Sequence, residues 1–365
     1  MNAEVAVGVL GVQVAGEGQT PLVLAMPSVA AALTPRALAF PRDHGAHPDL
    51  RTEWWYVTGH ARDGDAPGRE FGFQVTFFRT RVDATQTMQS AFAARQLIFA
   101  HAAVTDVQGR TLWHDQRIAR EGIGAAGASV TDAAIMLRDW SLVRRPADGA
   151  WVARLPGDDL SLDLVFEPTQ PLLLQGDRGL SRKGPDPAQA SYYYSLPHLA
   201  ARGRITLKGR AFDVRGQAWL DHEWSEALMH PDAVGWDWIG MNLQGGGALT
   251  AFRLRDRSGR ALWGGGSIRT RDGDLRTFAA GDVVFTPQRF WKSPASQASY
   301  PVEWAVTTPA GAFTVRAVID NQELDSRAST GTIYWEGLSE LLDADGRVVG
   351  RGYLEMTGYA QALRL

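Results

Sequence analysis

The segment GQAWLDHEWS, residues 216–225, concentrates side chains that could carry out proton-transfer chemistry. Its composition is typical of a β-strand, in which successive side chains point to opposite faces. The alternation predicts two faces: Leu220, His222 and Trp224 on one, and Trp219, Asp221 and Glu223 on the other. Two carboxyl groups and an imidazole can donate and accept protons, so Asp221, His222 and Glu223 are candidate catalytic residues. Because His222 points away from both acids, and neither a His-Glu-x-x-His helix motif nor a facial triad occurs, we expect no metal site.

A second cluster lies near the start of the patterned sequence, where residues 40–48 lead into Glu53-Trp54-Trp55-Tyr56. Strand alternation places Glu53 and Trp55 on one face, and Trp54 and Tyr56 on the other. Burial would raise the pKa of the Glu53 carboxyl group and make it a proton donor, which makes Glu53 a fourth candidate catalytic residue. The alternative is an ion pair with an arginine, for which the sequence offers Arg42, Arg51 and Arg79. Both interpretations stay open.

Aromatic side chains are abundant, with 13 tryptophans in 365 residues. In the segment GWDWIGMN, residues 235–242, Trp236 and Trp238 share a face, either as a wall between two domains or as core packing. Wide aromatic faces suit an apolar ligand, although most tryptophans simply fill a core. The candidate ligand-binding residues are Trp54, Trp55, Tyr56, Tyr193, Trp219, Trp224, Trp236 and Trp238.

Composition excludes several other classes of function. The chain has no cysteine and therefore no thiolate nucleophile or thiolate metal site. Its net charge of −3 provides no basic field for nucleic acid. The sequence contains no Gly-x-Ser-x-Gly elbow, phosphate-binding loop or dinucleotide fingerprint, so it gives no support to a serine hydrolase of that type or to a nucleotide-binding protein.

Short apolar stretches separated by Gly, Asp and Pro recur from Phe40 to the end of the chain, as in an antiparallel β-sandwich or barrel. The best helix candidate is Thr87–Ala94, and the longest segment without a strand pattern is Pro168–Ser191. Length suggests two domains. We place them at residues 37–225 and 226–365, with a boundary in the segment that follows Trp224.

Residues 1–36 combine an apolar run with small residues but carry no basic residue before Arg36. One interpretation is a remnant of a signal peptide, which predicts a periplasmic or secreted protein and contact with the export machinery of a membrane. The other is a simple leader on a cytoplasmic protein. The sequence does not indicate an oligomeric state.

Together, the segments at 40–60, 70–81, 178–184, 191–197, 216–225 and 235–243 resemble the carotenoid 1,2-hydratase and AttH-like proteins, whose bacterial members are often called predicted secreted hydrolases. The resemblance implies an all-β protein of two tandem lipocalin-like, or calycin, antiparallel barrels. It also implies a cavity near their junction, an elongated lipid- or polyene-like ligand, and no cofactor. The hydratases add water across a terminal carbon–carbon double bond, and other relatives accelerate cycloadditions of polyenes.

The resemblance extends to the segment at residues 216–225, with two departures from the family pattern. His222 and Trp224 match the His and Trp of the hydratases' Asp-His-Asn-Trp motif, but Glu223 stands where the motif has Asn. The strand that would supply the hydratases' acid, residues 249–255, contains no carboxylate. The departures weaken the case for carotenoid hydration and leave the expected fold unchanged.

Two functional hypotheses follow, with an interaction or structural role as a third. The first is a cofactor-free enzyme of the hydro-lyase type, in which Glu53, Asp221 or Glu223 protonates an alkene and His222 positions water. The second is a lipid carrier or binding protein without chemistry. A carboxyl group of raised pKa that faces the cavity would favour the enzyme, and an entirely apolar cavity would favour the carrier.

Overall fold

The computed structural model describes residues 32–64 and 68–363, so most of the predicted leader lies outside the described residues. These residues form two antiparallel β-sheets and two short 3₁₀ turns, at Arg42–His44 and Asp83–Thr85, with no α-helix among them. None of them belongs to a helix long and apolar enough to span a bilayer. The predicted all-β fold of two lipocalin-like antiparallel barrels is confirmed.

The first sheet has 13 strands and curls into a nearly closed barrel, because strands near its two ends pack against each other. Its strands are β1 Thr52–Asp63, β2 Glu70–Arg81, β3 Gln96–Asp106, β4 Thr111–Arg120, β5 Ala126–Ala128, β6 Ala134–Leu137, β7 Trp140–Arg144, β8 Trp151–Leu155, β9 Leu160–Glu167, β10 Leu173–Leu174, β11 Leu180–Arg182, β12 Ala190–Leu207 and β13 Arg210–Ala227. Their order along the sheet is β4-β3-β2-β1-β13-β12-β9-β8-β7-β6-β5, with β10 and β11 paired to β12.

The second sheet has 10 strands. They are β14 Gly235–Leu243, β15 Ala248–Arg255, β16 Ala261–Arg269, β17 Leu275–Phe278, β18 Val284–Lys292, β19 Ser299–Thr308, β20 Gly311–Ala317, β21 Glu323–Asp325, β22 Ile333–Leu342 and β23 Val348–Met356. Their order is β17-β16-β15-β14-β23-β22-β20-β19-β18, with β21 paired to β22. The last strand of the first sheet ends at Ala227 and the first strand of the second begins at Gly235.

Period-two alternation explains why these segments are strands with one face in a core. In β9, the buried residues are Leu160, Leu162, Leu164 and Phe166, and the residues between them are more exposed. The same alternation fills each barrel with its own apolar core, one from β1–β13 and one from β14–β23. A third apolar cluster, which includes Tyr56, Trp219, Trp238 and Phe252, lies where the two sheets meet.

The sheets meet along β1 and β2 of the first and β22 and β23 of the second. Gly72 on β2 permits the close approach, because a Cβ atom there would lie 2.7 Å from the Tyr353 hydroxyl and 3.0 Å from Leu338 Cβ. Both barrels therefore present a β-sheet face to the same junction.

The segment Thr87–Ala94 is not a helix, contrary to the prediction. The side chains of Thr85 and Gln86 bond backbone carbonyls at both ends of the β2–β3 loop, and this local bonding competes with helix formation. Met88 and Phe92 are exposed, so the segment also lacks a partner for an apolar helix face.

Candidate functional site

Pairing between β1 and β13 sorts the predicted site residues onto two faces. Residues directly opposite each other in antiparallel strands share a face. Trp55 lies opposite His222, with Glu53 opposite Trp224, and these side chains point into the first barrel. Tyr56 lies opposite Asp221, with Trp54 opposite Glu223, and these side chains point towards the junction with the second barrel.

Inside the first barrel, Glu53 is fully buried at the centre of a hydrogen-bonded network. Its carboxylate is 2.8 Å from Arg79 Nε, 2.9 Å from His222 Nε2 and 2.7 Å from His47 Nδ1. The rings of His47 and Trp224 stack with centroids 3.9 Å apart. Of the arginine partners predicted for Glu53, the structure selects Arg79.

The network fixes the charges of its members. Burial alone would raise the pKa of Glu53, but hydrogen bonds from His222 and His47 outweigh it and hold that pKa below its usual range. Burial lowers the pKa of His222 to about 4, and the bond to Glu53 does not reverse this. Glu53 is therefore a carboxylate at neutral pH and His222 is a neutral imidazole, so neither carries an acidic proton of suitable strength.

The ligating atoms of His47, Glu53 and His222 lie within 4.8 Å of one another, a spacing at which a metal ion could be held. Two observations oppose that reading. Both histidines already bond the Glu53 carboxylate directly, and the guanidinium group of Arg79 contacts the same carboxylate. A cation placed there would be repelled by Arg79 and would break both histidine bonds.

Between the barrels lies a cavity of about 330 Å³, which we call the junction cavity. Its aromatic walls come from both sheets: Trp54, Tyr56, Phe78, Phe99, Tyr193, Trp236, Trp238, Phe252 and Tyr334. Carboxyl groups project into this lining from three strands: Asp221 and Glu223 from β13, Glu336 from β22 and Glu355 from β23. Acids within an aromatic enclosure distinguish this cavity from simple core packing.

Asp221 is buried and accepts hydrogen bonds from three donors. They are the Tyr193 hydroxyl at 2.7 Å, the Ser195 hydroxyl at 2.5 Å and the Trp219 indole at 2.7 Å. Burial raises the pKa of Asp221 and these three bonds lower it, with the balance at about 7. A carboxyl group with that pKa can both donate and accept a proton at neutral pH.

Glu223 differs from Asp221 because it has a cationic partner. Lys183 Nζ lies 2.9 Å from a Glu223 carboxylate oxygen, and the Ser191 hydroxyl donates to the same oxygen. The Lys183 ammonium also lies over the rings of Tyr193 and Phe252. Glu223 is thus held in an ion pair with Lys183, whereas the three hydrogen-bond partners of Asp221 are neutral side chains.

A second group of polar residues lines the junction cavity between β2 and β22. Gln74 Nε2 donates to Glu336 Oε2 at 2.7 Å and to the Tyr334 hydroxyl at 3.1 Å. Burial, together with the charge of Glu355 on the neighbouring strand, raises the pKa of Glu336 well above its ordinary value. Burial also raises the pKa of Glu355 to about 7. These acids hold protons at a pH where a surface glutamate is ionised.

The predicted site residues thus fall into two separate groups. Asp221 and Glu223 line the junction cavity together with Trp54, Tyr56, Tyr193, Trp236 and Trp238. Glu53, His222, Trp55 and Trp224 lie in the interior of the first barrel instead. Trp219 packs in the apolar cluster at the junction, where its indole bonds Asp221.

Sequence reasoning missed Lys183, Gln74, His101, Glu336 and Glu355, all of which line the junction cavity. Lys183 follows β11 in the segment Pro168–Ser191, for which no strand was predicted. That segment in fact contains two short strands, β10 and β11, which pair with β12. A signal for Glu336 and Glu355 was present in the sequence, because Glu336 follows Tyr334-Trp335 and Glu355 lies between Leu354 and Met356.

We expect His222→Gln to leave the affinity for a ligand in the junction cavity unchanged, because His222 lies on the opposite face of β13. His222→Ala should lower the free energy of unfolding by about 1–3 kcal/mol, since it leaves buried partners unsatisfied. Urea denaturation and titration with an apolar fluorescent probe measure the two effects. A folded glutamine variant that loses probe affinity or ligand conversion would return His222 to the catalytic group.

A family model described as AttH-like matches residues 31–359 of the chain. The crystal structure of a candidate AttH from Nitrosomonas europaea is 44% identical, with a TM-score of 0.83, and the match covers 91% of this chain and 100% of that one. Kievitone hydratase from Nectria haematococca is 14% identical with a TM-score of 0.66, over 85% of this chain and 90% of that one. The second likeness is one of fold. Among curated proteins, no significant match is found.

Proposed function

The chain belongs to the AttH-like family, and on this premise we propose that it binds an elongated apolar ligand in the junction cavity and adds water to a carbon–carbon double bond of that ligand, without a cofactor. The observation that carries the proposal is Asp221, a buried carboxyl group with a pKa of about 7 in an aromatic cavity. A lipid carrier needs the aromatic walls but has no use for a proton donor of this strength.

In the proposed reaction, the carboxylic acid of Asp221 transfers its proton to one alkene carbon. The electron pair of the double bond forms the new carbon–hydrogen bond and leaves a carbocation on the other carbon. Aromatic faces such as Trp54, Tyr56 and Trp238 stabilise that cation. The oxygen of a water molecule then attacks the cation and passes a proton to the Asp221 carboxylate, which restores the acid. The net change is alkene plus water to alcohol.

The donors around Asp221 serve both halves of this cycle. Tyr193, Ser195 and Trp219 stabilise the carboxylate after it has given up its proton. Burial destabilises the same carboxylate, so it keeps Asp221 protonated at neutral pH and favours the return of a proton from the attacking water. Glu53 and His222 take no direct part in this cycle, because their network lies on the opposite face of β13, where it supports the pairing of β1 with β13.

The test begins with protein purified from its native host, because the ligand must be identified first. Native mass spectrometry followed by extraction should reveal a bound apolar compound. Incubation of neutral polyenes from the same extract with the protein in ¹⁸O-labelled water should then give a product heavier by one labelled water. A ligand that binds and is always recovered unchanged would instead establish a carrier. Failure of every apolar compound to bind the folded protein would contradict both functions.

A further inference from the structure

Three polar atoms that line the junction cavity have no hydrogen-bond partner: the Tyr56 hydroxyl, Gln74 Oε1 and Glu336 Oε1. The three side chains are between 2% and 6% exposed. Buried polar atoms in folded proteins are almost always hydrogen-bonded, because an unsatisfied one costs about 1–3 kcal/mol. Three of them in one cavity therefore indicate a position that a bound group completes.

The other polar atoms of Gln74 and Glu336 are already held in place. Glu336 Oε2 accepts from Gln74 Nε2, which also donates to Tyr334, and the Tyr334 hydroxyl lies 2.8 Å from His101 Nδ1. The Tyr56 hydroxyl is close enough to Glu336 to affect its pKa, yet no hydrogen bond of acceptable geometry joins them. A ligand group that lies within hydrogen-bond distance of both side chains would supply the missing partners.

The chemistry of the three atoms selects the group. Gln74 Oε1 only accepts, whereas a tyrosine hydroxyl and a protonated carboxyl group can each donate or accept. A hydroxyl group, which does both, matches this set better than an ether oxygen, which only accepts. A carboxylate fits less well, because it would lose its hydration in this enclosure, and Lys183, which lines the cavity, is already paired with Glu223.

The geometry points to a subsite for a hydroxyl group of the ligand, formed by Tyr56, Gln74 and Glu336 at the β2–β22 side of the junction cavity. The inference rests on the proposed function, since it assumes that the cavity binds an apolar ligand. The subsite adds a substrate class to the proposed function: neutral apolar compounds that carry a hydroxyl group, and not free fatty acids. Because burial raises the pKa of Glu336, its carboxyl group keeps a proton that it can donate to the hydroxyl oxygen.

Three probes of nearly equal size test the subsite on the full chain: decanol, methyl nonyl ether and decanoate, each measured by competition with a bound apolar fluorophore. Decanol should bind roughly fivefold to tenfold more tightly than the ether, the ratio expected for one or two net hydrogen bonds. Decanoate should bind most weakly at pH 8. Equal affinity for decanol and the ether would contradict the subsite, and the three unpartnered atoms would then be assigned to bound water.

Tyr56→Phe removes only the hydroxyl group and should abolish the preference for decanol, while its affinity for the ether stays within about twofold of the wild-type value. Tyr300→Phe is the matched control, because the Tyr300 hydroxyl is also unpartnered but lies in the core of the second barrel. A Tyr56→Phe protein that keeps the full preference would contradict the subsite. If no probe binds the folded wild-type protein, the proposed function fails as well, so the two failures are distinguishable.

Discussion

Replacement of Glu53 by glutamine is expected to lower the free energy of unfolding by about 3–5 kcal/mol, because it leaves the buried guanidinium group of Arg79 without a counter-charge. Arg79 is 1% exposed and cannot reach water without local unfolding. Urea denaturation of wild type and variant measures the loss. A companion Arg79→Met substitution in the Glu53→Gln background should recover part of it, since the pair is then removed as a unit.

The exposed pair between Arg154 and Asp163 provides a matched control, with 3.9 Å between the charged atoms. Asp163→Asn should change the free energy of unfolding by less than about 0.5 kcal/mol, as expected for a solvated pair. A loss for Glu53→Gln no larger than this would show that the network contributes nothing to stability.

Acid should weaken the same network, and the sign follows from the pKa shifts. The folded-state pKa of Glu53 is depressed, so its stabilisation is present above the ordinary glutamate pKa and is lost as the pH falls below it. Burial lowers the pKa of His222 to about 4. The stability of the folded state with a neutral His222 is likewise complete above the pKa of histidine in the unfolded chain, about 6.5. It is lost as the pH falls from there towards 4, because only the unfolded chain then takes up a proton readily. The effect of Glu53→Gln should therefore be largest near pH 7 and should shrink on acidification.

Asp221→Asn is expected to reduce ligand conversion by roughly 10²- to 10⁴-fold, the usual contribution of a positioned acid, with little change in the affinity for an apolar probe. Asparagine has nearly the size of the acid but cannot transfer the proton. In the wild type, the rate should fall as the pH rises through about 7, because the acid form of Asp221 is lost. Product formation from the ligand recovered from the host measures both effects.

Asp213→Asn is the control for that substitution, because Asp213 lies on the same strand but is exposed and paired with Arg204. It should leave conversion unchanged. Conversion at the wild-type rate by the Asp221 variant would remove Asp221 from the mechanism, and attention would then turn to Glu355 and Glu336.

Period-two alternation predicted the strands and the two faces of β13, because it reflects the local geometry of a single strand. It also placed Asp221 and His222 on opposite faces, as the structure does. It did not show which face meets the second barrel, since that depends on contacts between residues more than 100 positions apart, such as Gln74 with Glu336. For the same reason Glu336 and Glu355, which reach the cavity from the second sheet, were missed.

The central claim is that the junction cavity holds carboxyl groups that remain protonated near neutral pH. Infrared difference spectroscopy measures this without a ligand, because a protonated carboxyl group has a carbonyl stretch that a carboxylate lacks. We expect this signal at pH 6, a decrease centred near pH 7 as Asp221 and Glu355 ionise, and a smaller decrease in Asp221→Asn. A wild-type protein whose carboxyl groups are all ionised by pH 5 would contradict the account.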